Sequence, residues 1–297
     1  MLANDHIIGF VGVGQMGRLM AERLRYRFKN IKIYDKDPAQ MQHFEKAAQI
    51  CKRLDQMQDA DAVITMLPNG QITKSIARDL GHILKKSSIL LNTGTIGVDE
   101  SKELAKILRE NSIRYVDAPV SGGVQGARMG TLTFMVSGDD NDIDSVKPLM
   151  LAMGGKVVNC GNHGLAQAAK ICNNMLLGIT MMGACEVYAL AQKLGLSAAV
   201  LTDIINSSSG RCWSTEINNP VPGAVISSPS SRNYEGGFSA RLLHKDLSLA
   251  VDAAVHSSEM LSGLAAAQKI YKSLSEHKES ASKDMGYYYQ YLIEKIK

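Results

Sequence analysis

The stretch Ile7-Ile-Gly-Phe-Val-Gly-Val-Gly-Gln-Met-Gly17 indicates the fold class most directly. Its apolar run, Ile7–Val11, predicts a buried strand, and a glycine triplet separates that strand from an amphipathic stretch. In this context Gly12 permits a tight turn, Gly14 lets a pyrophosphate approach the backbone, and Gly17 lets helix and strand pack closely. A glycine triplet alone is often a simple turn, but one between a strand and a helix predicts a dinucleotide site.

The acidic residue that follows the second predicted strand narrows the choice of dinucleotide. That strand, Ile31–Tyr34, ends directly before Asp35. A carboxylate there accepts hydrogen bonds from the adenosine ribose and repels a 2′-phosphate, so it favours NAD over NADP. Lys36 places a cation beside Asp35, so weak binding of NADP is not excluded. We therefore predict NAD as the cofactor, with the loop residues Gln15 and Met16 also in the site.

Strand and helix signals alternate through roughly the first 160 residues. Further apolar runs lie at 62–67, 89–92, 115–116, 132–136 and 157–160, and amphipathic stretches lie at 16–28, 39–48, 71–84 and 100–109. This alternation is typical of an α/β fold, in which parallel strands carry helices on both faces. We predict a Rossmann-type, doubly wound sheet as the N-terminal domain.

After Gly164 the pattern becomes helical throughout. Apolar periodicity extends over 165–195, and shorter helical patterns lie near 198–206, 240–257, 261–275 and 284–296. We predict an NAD-binding Rossmann domain over residues 1–163 and an all-helical domain over residues 164–297, joined by a long helix. That helix has more apolar surface than one chain covers, which indicates a homodimer or homotetramer.

Composition excludes several classes of function. A net charge of +4 with 5% aromatic residues is unlike a nucleic-acid-binding surface, and we expect no apolar stretch of membrane-spanning length. The five cysteines lack a Cys-x-x-Cys pair and the seven histidines lack ligand spacing, so we expect reduced thiols and no metal. These features predict a soluble intracellular protein, cytoplasmic in a bacterium or in the mitochondrial matrix as a processed eukaryotic form.

Lys170 is the candidate catalytic residue. In a helix, Asn173 and Asn174 follow it by one turn on the same face, so a cation and two amides would project together. Isolated helical lysines are usually solvated, but the neighbours of this one are apolar, from Ala168 to Leu176. Lysines removed from water change their pKa readily, which suits them to proton transfer.

A second glycine-rich element, Asp117-Ala-Pro-Val-Ser121-Gly122-Gly123, follows a predicted strand. Successive free N–H groups and a serine hydroxyl form a natural site for a carboxylate. A simple strand-terminal turn explains the local chemistry equally well. Its place at the carboxyl end of a strand in an open sheet favours a ligand site.

These segments resemble the β-hydroxyacid dehydrogenase family, and within it the 3-hydroxyisobutyrate dehydrogenases. The resemblance covers nearly the whole chain, through the glycine loop, the 117–123 segment and Ala169-Lys-Ile-Cys-Asn-Asn174. Two later stretches narrow the resemblance from the wider family to the 3-hydroxyisobutyrate dehydrogenases. They are 208–214 with 219–223, and Gly236-Gly-Phe238 followed by Lys245-Asp246.

The resemblance implies a role for each matching residue. Lys170 corresponds to the catalytic lysine of the family, and substrate is held by Ser121, Gly122, Gly123 and Asn174. It also implies cofactor contacts by Leu67, Pro68, Thr95, Phe238, Lys245 and Asp246, the last as the ion-pair neighbour of Lys245. Trp213 is a candidate wall of the substrate pocket, and packing explains its presence equally well.

The chain departs from the family pattern at several positions. The family usually has Asp-x-Ser-Thr-x-x-Pro around its threonine, whereas this chain has Asn92-Thr-Gly94-Thr95-Ile-Gly-Val98. Ala166 replaces the second glycine before the lysine. Neither change removes a reacting group.

The implied activity is NAD-dependent oxidation of 3-hydroxyisobutyrate to methylmalonate semialdehyde, a step of valine degradation within branched-chain amino acid catabolism. Sibling enzymes act on serine, threonate, 4-hydroxybutyrate or tartronate semialdehyde, and these remain alternatives. Imine reduction is less favoured because those relatives generally lack this lysine. A catalytically silent dinucleotide-binding sensor is the alternative from outside the enzymes.

Overall fold

The computed structural model describes residues 1–295 and divides into two compact units. The first comprises Met1–Lys170, and the second begins at Ile171. The long helix begins at Leu165, so its first turn lies in the first unit. The domain boundary predicted after residue 163 lies slightly before this division and remains a prediction.

The first unit is built on a parallel sheet of six strands. These are β1 (Ile7–Val11), β2 (Asn30–Tyr34), β3 (Gln49–Ile50), β4 (Ala62–Thr65), β5 (Ile89–Asn92) and β6 (Arg114–Asp117). They are ordered β3-β2-β1-β4-β5-β6, and every neighbouring pair is parallel. This is the Rossmann strand order, so the predicted fold class of the N-terminal domain is confirmed. Ligands of such sheets bind at the carboxyl ends of the strands, where the winding direction changes between β1 and β4.

A smaller sheet of three strands follows. It contains β7 (Val120–Ser121), β8 (Leu132–Val136) and β9 (Gly154–Asn159), in that order. β7 pairs antiparallel with β8, unlike the parallel arrangement predicted for the domain. The connection from β7 to β8 spans only residues 122–131, which is shorter than the crossover that a parallel pair requires.

Six α-helices connect the strands of the first unit. They are α1 (Gln15–Leu24), α2 (Pro38–Met41), α3 (Gly70–Ile83), α4 (Val98–Glu110), α5 (Gly123–Met129) and α6 (Asp140–Met153). The helix predicted over 39–48 is only the short α2 followed by a 3₁₀ turn, Gln42–Phe44. The pattern does not predict the helices at 123–129 and 140–153, because glycines in the first and Pro148 and several aspartates in the second weaken the helical signal.

Both faces of the large sheet are buried, as doubly wound folds require. Successive strand residues point to opposite faces, and two apolar clusters result. One face carries Ile8, Phe10, Ile33, Ile64 and Leu91, and the other carries Val11, Val63, Leu90 and Tyr115. The helices therefore hold the strand ends rigidly, which fixes the loops at the carboxyl edge.

The second unit consists of helices in its described part. They are α7 (Leu165–Lys193), α8 (Ala198–Asn206), α9 (Trp213–Glu216), α10 (Ala240–His256), α11 (Ser262–Glu276) and α12 (Tyr288–Lys295). The predicted helix over 284–296 starts only at Tyr288, because the Asp284 carboxylate accepts the Gly286 N–H and a 3₁₀ turn precedes the helix. The predicted helical C-terminal region is confirmed.

Helix α7 is long and apolar enough to cross a membrane by length and composition, contrary to the sequence-based expectation. Core helices of globular proteins meet the same criterion. Its first three turns carry the buried polar residues Gln167, Lys170 and Asn174. Polar groups of this kind are costly in hydrocarbon, so we interpret α7 as a core helix.

Candidate active site

The glycine loop between β1 and α1 leaves one side open to a ligand. Gly12 has a φ of +91°, and a Cβ atom there would overlap the carbonyl oxygen of Met66. A Cβ atom on Gly17 would overlap the carbonyl oxygen of Gly12. A Cβ atom on Gly14, by contrast, would meet no atom within 4 Å. The packing of the protein requires Gly12 and Gly17, whereas the space beside Gly14 fits the approach of a pyrophosphate.

Asp35 lies against this loop, as its position after β2 predicts. Its Oδ2 accepts a hydrogen bond from the N–H of Val13 at 2.8 Å, and its Oδ1 accepts one from the N–H of Asp37 at 2.9 Å. Each carboxylate oxygen has a second lone pair for a further donor. The half-buried carboxylate can therefore hold the loop and accept ribose hydroxyls at the same time.

The segments after β4 and β5 pack beside the glycine loop. Leu67 is half-buried and lies beside Gly12, and exposed Pro68 leads into α3. A Cβ atom on Gly94 would lie 2.9 Å from the carbonyl oxygen of Leu67, so the two segments are in close contact. Thr95 is half-buried in the second segment. The predicted cofactor residues of the first unit thus converge on one edge of the sheet.

A fully buried carboxylate, Asp117, lies at the end of β6. Its Oδ1 accepts hydrogen bonds from Gln167 Nε2 at 2.7 Å, Tyr115 Oη at 3.3 Å and Asn92 Nδ2 at 3.4 Å. Its Oδ2 accepts one from Ser101 Oγ at 2.8 Å. Four donors match the capacity of an ionised carboxylate. Burial raises the pKa of Asp117 to about 6, and the hydrogen bonds from Gln167 and Ser101 oppose that rise.

Gln167 joins this carboxylate to the loop that carries Thr95. Its Nε2 also donates to the carbonyl oxygen of Gly94 at 2.9 Å, and its Oε1 accepts from the N–H of Ile96 at 3.0 Å. Sequence reasoning assigned no role to Gln167 or to the Asp117 side chain. One feature of the sequence could have indicated a role for Gln167: it lies within one helical turn of Lys170.

Lys170 is the last residue of the first unit and is 8% exposed. It therefore is not one of the solvated surface lysines that make up most helical lysines. Asn174, four residues further along α7, is also buried, whereas Asn173 is exposed. The two amides still lie together, because Asn173 Nδ2 donates to Asn174 Oδ1 at 3.0 Å, but only Asn174 shares the burial of Lys170. The difference arises because residues four apart align more closely on a helix than residues three apart.

Ser121, Gly122 and Gly123 lie where β7 passes into α5. The φ angles of Gly122 and Gly123 are +133° and +61°, a region that disfavours side chains. A Cβ atom on Gly123 would meet nothing within 4 Å, so its backbone is open on that side. The segment starts at Asp117, the last residue of β6, so it follows the carboxyl end of a large-sheet strand as predicted, and Val120–Ser121 then form β7 of the small sheet. Its role toward a substrate carboxylate stays a prediction.

A polar cluster in the second unit contains three predicted site residues. The Nδ2 of Asn174 donates to Asp246 Oδ2 at 2.5 Å, and Asp246 Oδ1 lies 2.9 Å from Lys245 Nζ. Asp246 is 3% exposed, and the side chain of Lys245 is 28% exposed. Asp246 thus orients both the amide of Asn174 and the ammonium of Lys245, which α10 delivers.

Phe238 and Trp213 are the other two predicted site residues of the second unit. The N–H of Phe238 donates to the buried Asp284 carboxylate at 2.8 Å, and a Cβ atom on Gly237 would overlap that carboxylate. Packing against Asp284 therefore requires a glycine at position 237. Trp213 is the first residue of α9 and is 49% exposed, so packing does not account for its whole indole surface.

The departures from the family pattern have local reasons. Asn92 donates to Asp117, which an aspartate in its place could not do when ionised. A side chain on Gly94 would press against the Leu67 carbonyl. Val98 is the first residue of α4, a position that accepts proline or valine. Ala166 is fully buried, and the positive φ of +90° falls on Gly164 instead.

Comparison with known proteins decides the family. Residues 7–161 match the model for the NAD binding domain of 6-phosphogluconate dehydrogenase, and residues 164–292 match the one described as NAD-binding of NADP-dependent 3-hydroxyisobutyrate dehydrogenase. The mitochondrial 3-hydroxyisobutyrate dehydrogenase of Drosophila melanogaster is 42% identical over 285 residues, 95% of this chain and 88% of that protein. The human mitochondrial enzyme is 41% identical over 298 residues, 99% of this chain and 88% of its own length. The chain belongs to the 3-hydroxyisobutyrate dehydrogenase family.

A solved structure agrees with this membership. The 3-hydroxyisobutyrate dehydrogenase of Mycobacterium tuberculosis with L-serine superposes with a TM-score of 0.92 at 33% identity, over 97% of this chain and 99% of that one. As a member of the 3-hydroxyisobutyrate dehydrogenase family, the chain is an oxidoreductase that uses NAD. In the described residues no group of His, Cys, Asp and Glu has the arrangement of a metal site.

Proposed function

We propose that this protein catalyses the reversible NAD-dependent oxidation of 3-hydroxyisobutyrate to methylmalonate semialdehyde, as in valine degradation. The observation that carries the proposal is Lys170, a buried lysine on a helix whose first turn is anchored to the loop of Thr95. Family membership supports the substrate, and the open glycine loop supports the cofactor.

The first unit would hold NAD with residues at its carboxyl edge. The N–H groups at the start of α1 and the open side of Gly14, Gln15 and Met16 favour the pyrophosphate. Asp35 would accept the adenosine ribose hydroxyls, and Leu67, Pro68 and Thr95 would border the nicotinamide half. NAD supplies a hydride acceptor when bound.

Lys170 would hydrogen-bond the substrate hydroxyl and accept its proton as the alcohol becomes an aldehyde. In the reverse direction its ammonium would return that proton to the developing alkoxide. A cation beside an oxygen that gains negative charge stabilises the transition state more than the ground state. This double role explains why a lysine suits the position.

The remaining predicted residues would orient the acid. Ser121, the backbone of Gly122 and the open backbone of Gly123 offer donors for its carboxylate. The Asn174 amide, oriented by Asp246, would hold the substrate, with Trp213 as an apolar wall. Lys245 would add a positive charge toward cofactor and substrate.

L-serine is a second candidate substrate. It is also a short acid with a primary alcohol on its β-carbon, and the mycobacterial relative was solved with it. Steady-state kinetics test the proposal, with (S)-3-hydroxyisobutyrate, L-serine, threonate and 4-hydroxybutyrate oxidised by NAD or NADP, and with tartronate semialdehyde reduced by NADH or NADPH. We expect the highest kcat/KM for 3-hydroxyisobutyrate with NAD. A higher value for another acid would move the assignment to that substrate, and no turnover of any acid would favour a silent sensor.

A further inference from the structure

Gln167 uses its whole amide to connect the first turn of α7 with the loop after β5. Its oxygen accepts from Ile96, and its nitrogen donates to Gly94 and to Asp117. The side chain is fully buried. Gly94 and Ile96 flank Thr95, and Lys170 lies within one turn of Gln167 along α7. One side chain therefore determines how the Thr95 loop and the Lys170 turn face each other.

Asp117 fixes the direction of that amide. Its other neighbours, Asn92, Ser101 and Tyr115, donate to it as well, so the ionised carboxylate acts purely as an acceptor. A flipped Gln167 amide would place its oxygen against a carboxylate and its nitrogen against a backbone N–H. Both contacts are repulsive, so Asp117 selects a single orientation.

We propose that Gln167 and Asp117 are positioning residues of the reaction, which hold the Lys170 turn and the Thr95 loop in their productive register. The inference rests on the proposed function, because that function assigns the proton transfer to Lys170. Neither residue takes part in that transfer itself. Small displacements of a reacting group cost on the order of 10²-fold in rate, so a register error has a measurable effect.

Gln167→Glu is the informative variant because it keeps the shape and the acceptor toward Ile96. It replaces the donor with a carboxylate oxygen that faces Asp117 and the Gly94 carbonyl. At pH 8 we expect kcat to fall about 10²-fold. At pH 6 a proton shared by the two carboxyl groups restores a donor, so the deficit relative to wild type at the same pH should shrink at least about tenfold.

Burial favours the neutral forms of the other titratable groups near Asp117, namely Tyr115, Cys160 and His163. Burial raises the pKa of Tyr115 and of the Cys160 thiol, so both stay neutral up to pH 8. His163 stacks on Tyr115 with the two ring centroids 5.7 Å apart, and burial lowers the pKa of His163, which favours its neutral form. A pH-dependent recovery in Gln167→Glu therefore reports on the carboxyl pair.

The double variant Gln167→Glu with Asp117→Asn reverses the polarity of the pair. The amide introduced at position 117 would donate to the carboxylate introduced at position 167, so at pH 8 we expect kcat to exceed that of Gln167→Glu by about tenfold or more. Ser88→Ala is the matched control, since it removes a buried hydrogen bond from Ser88 Oγ to the Ala60 carbonyl at 2.7 Å, at the amino end of β5. It should lower the Tm and leave kcat and its pH profile unchanged.

Hydrogen exchange of the peptides covering 93–97 and 164–172 supplies a second measurement that does not need turnover. Exchange about tenfold faster in Gln167→Glu, reversed in the double variant, supports the inference. Wild-type kcat in Gln167→Glu, or equal impairment of both variants at every pH, overturns it. If the wild type oxidises none of the acids, the proposed function fails, and exchange alone decides the inference: unchanged protection in Gln167→Glu overturns it.

Discussion

Gly12 and Gly14 lie two residues apart but have different surroundings, and alanine at each should have a different effect. At Gly12 an alanine combines a φ of +91° with an overlap against Met66, so we expect Gly12→Ala to lose at least about 2 kcal/mol of unfolding free energy. At Gly14 the φ is −64° and no atom is near. Gly14→Ala should change stability by less than about 1 kcal/mol but weaken NAD binding about tenfold or more.

Urea unfolding and titration of NADH fluorescence measure the two effects separately. The two alanine variants serve as controls for each other. Unchanged NADH affinity in Gly14→Ala would contradict the placement of the pyrophosphate beside that residue.

At the scale of elements, the buried Asp117 links β6 to α4 and α7 and adds a pH dependence to stability. Burial raises its pKa in the folded protein to about 6, above the ordinary value of the unfolded chain. The folded state therefore binds the proton more tightly, so the contribution of Asp117 to stability is largest below about pH 4. It declines as the pH rises to about 6 and stays constant above that, a change on the order of 3 kcal/mol.

The difference in unfolding free energy between wild type and Asp117→Asn isolates this effect. We expect the wild type to lose stability relative to the variant as the pH rises from 4 to 6. Carboxyl groups with lowered pKa, such as Asp61 and Glu103, have the opposite pH dependence, but they are present in both proteins and cancel. A difference that is constant with pH would show that Asp117 titrates as an ordinary aspartate.

Elements with strong periodicity were predictable from the sequence, and those defined by tertiary contacts were not. The strands Ile7–Val11 and Ile89–Asn92 and the helix Ala198–Asn206 have the predicted bounds. The two-residue β3 exists only through its pairing with β2, which no local pattern encodes. The reversed direction of β7 likewise depends on the length of its connection.

The candidate site likewise contains residues that were predictable from the sequence and residues that were not. The glycine loop and Asp35 were predictable because fixed spacings along β1, α1 and β2 bring them together. The Asp117 network joins residues from positions 92 to 167, and a single sequence contains no signal for such distant pairing. The difference in burial between Asn173 and Asn174 also depends on what packs against α7.

For the whole molecule, we propose that the chain forms a homo-oligomer through its helical part. Three leucines are largely exposed in a single chain: Leu176 (61%) and Leu190 (61%) on α7, and Leu194 (75%), which directly follows that helix. Exposed apolar side chains along one element indicate an interface. We expect sedimentation equilibrium at micromolar concentration to give a mass of twice or four times 32.2 kDa. A monomer mass would contradict this proposal.

The identity of the proton-transferring group is the central claim, and turnover of Lys170→Ala tests it most directly. Lys193→Ala is the matched control, because this lysine lies at the other end of the same helix and is exposed. With 3-hydroxyisobutyrate and NAD, we expect kcat to fall by at least about 10²-fold in Lys170→Ala and to stay unchanged in Lys193→Ala, while both variants bind NADH as the wild type does. Turnover of Lys170→Ala close to that of the wild type would contradict the account.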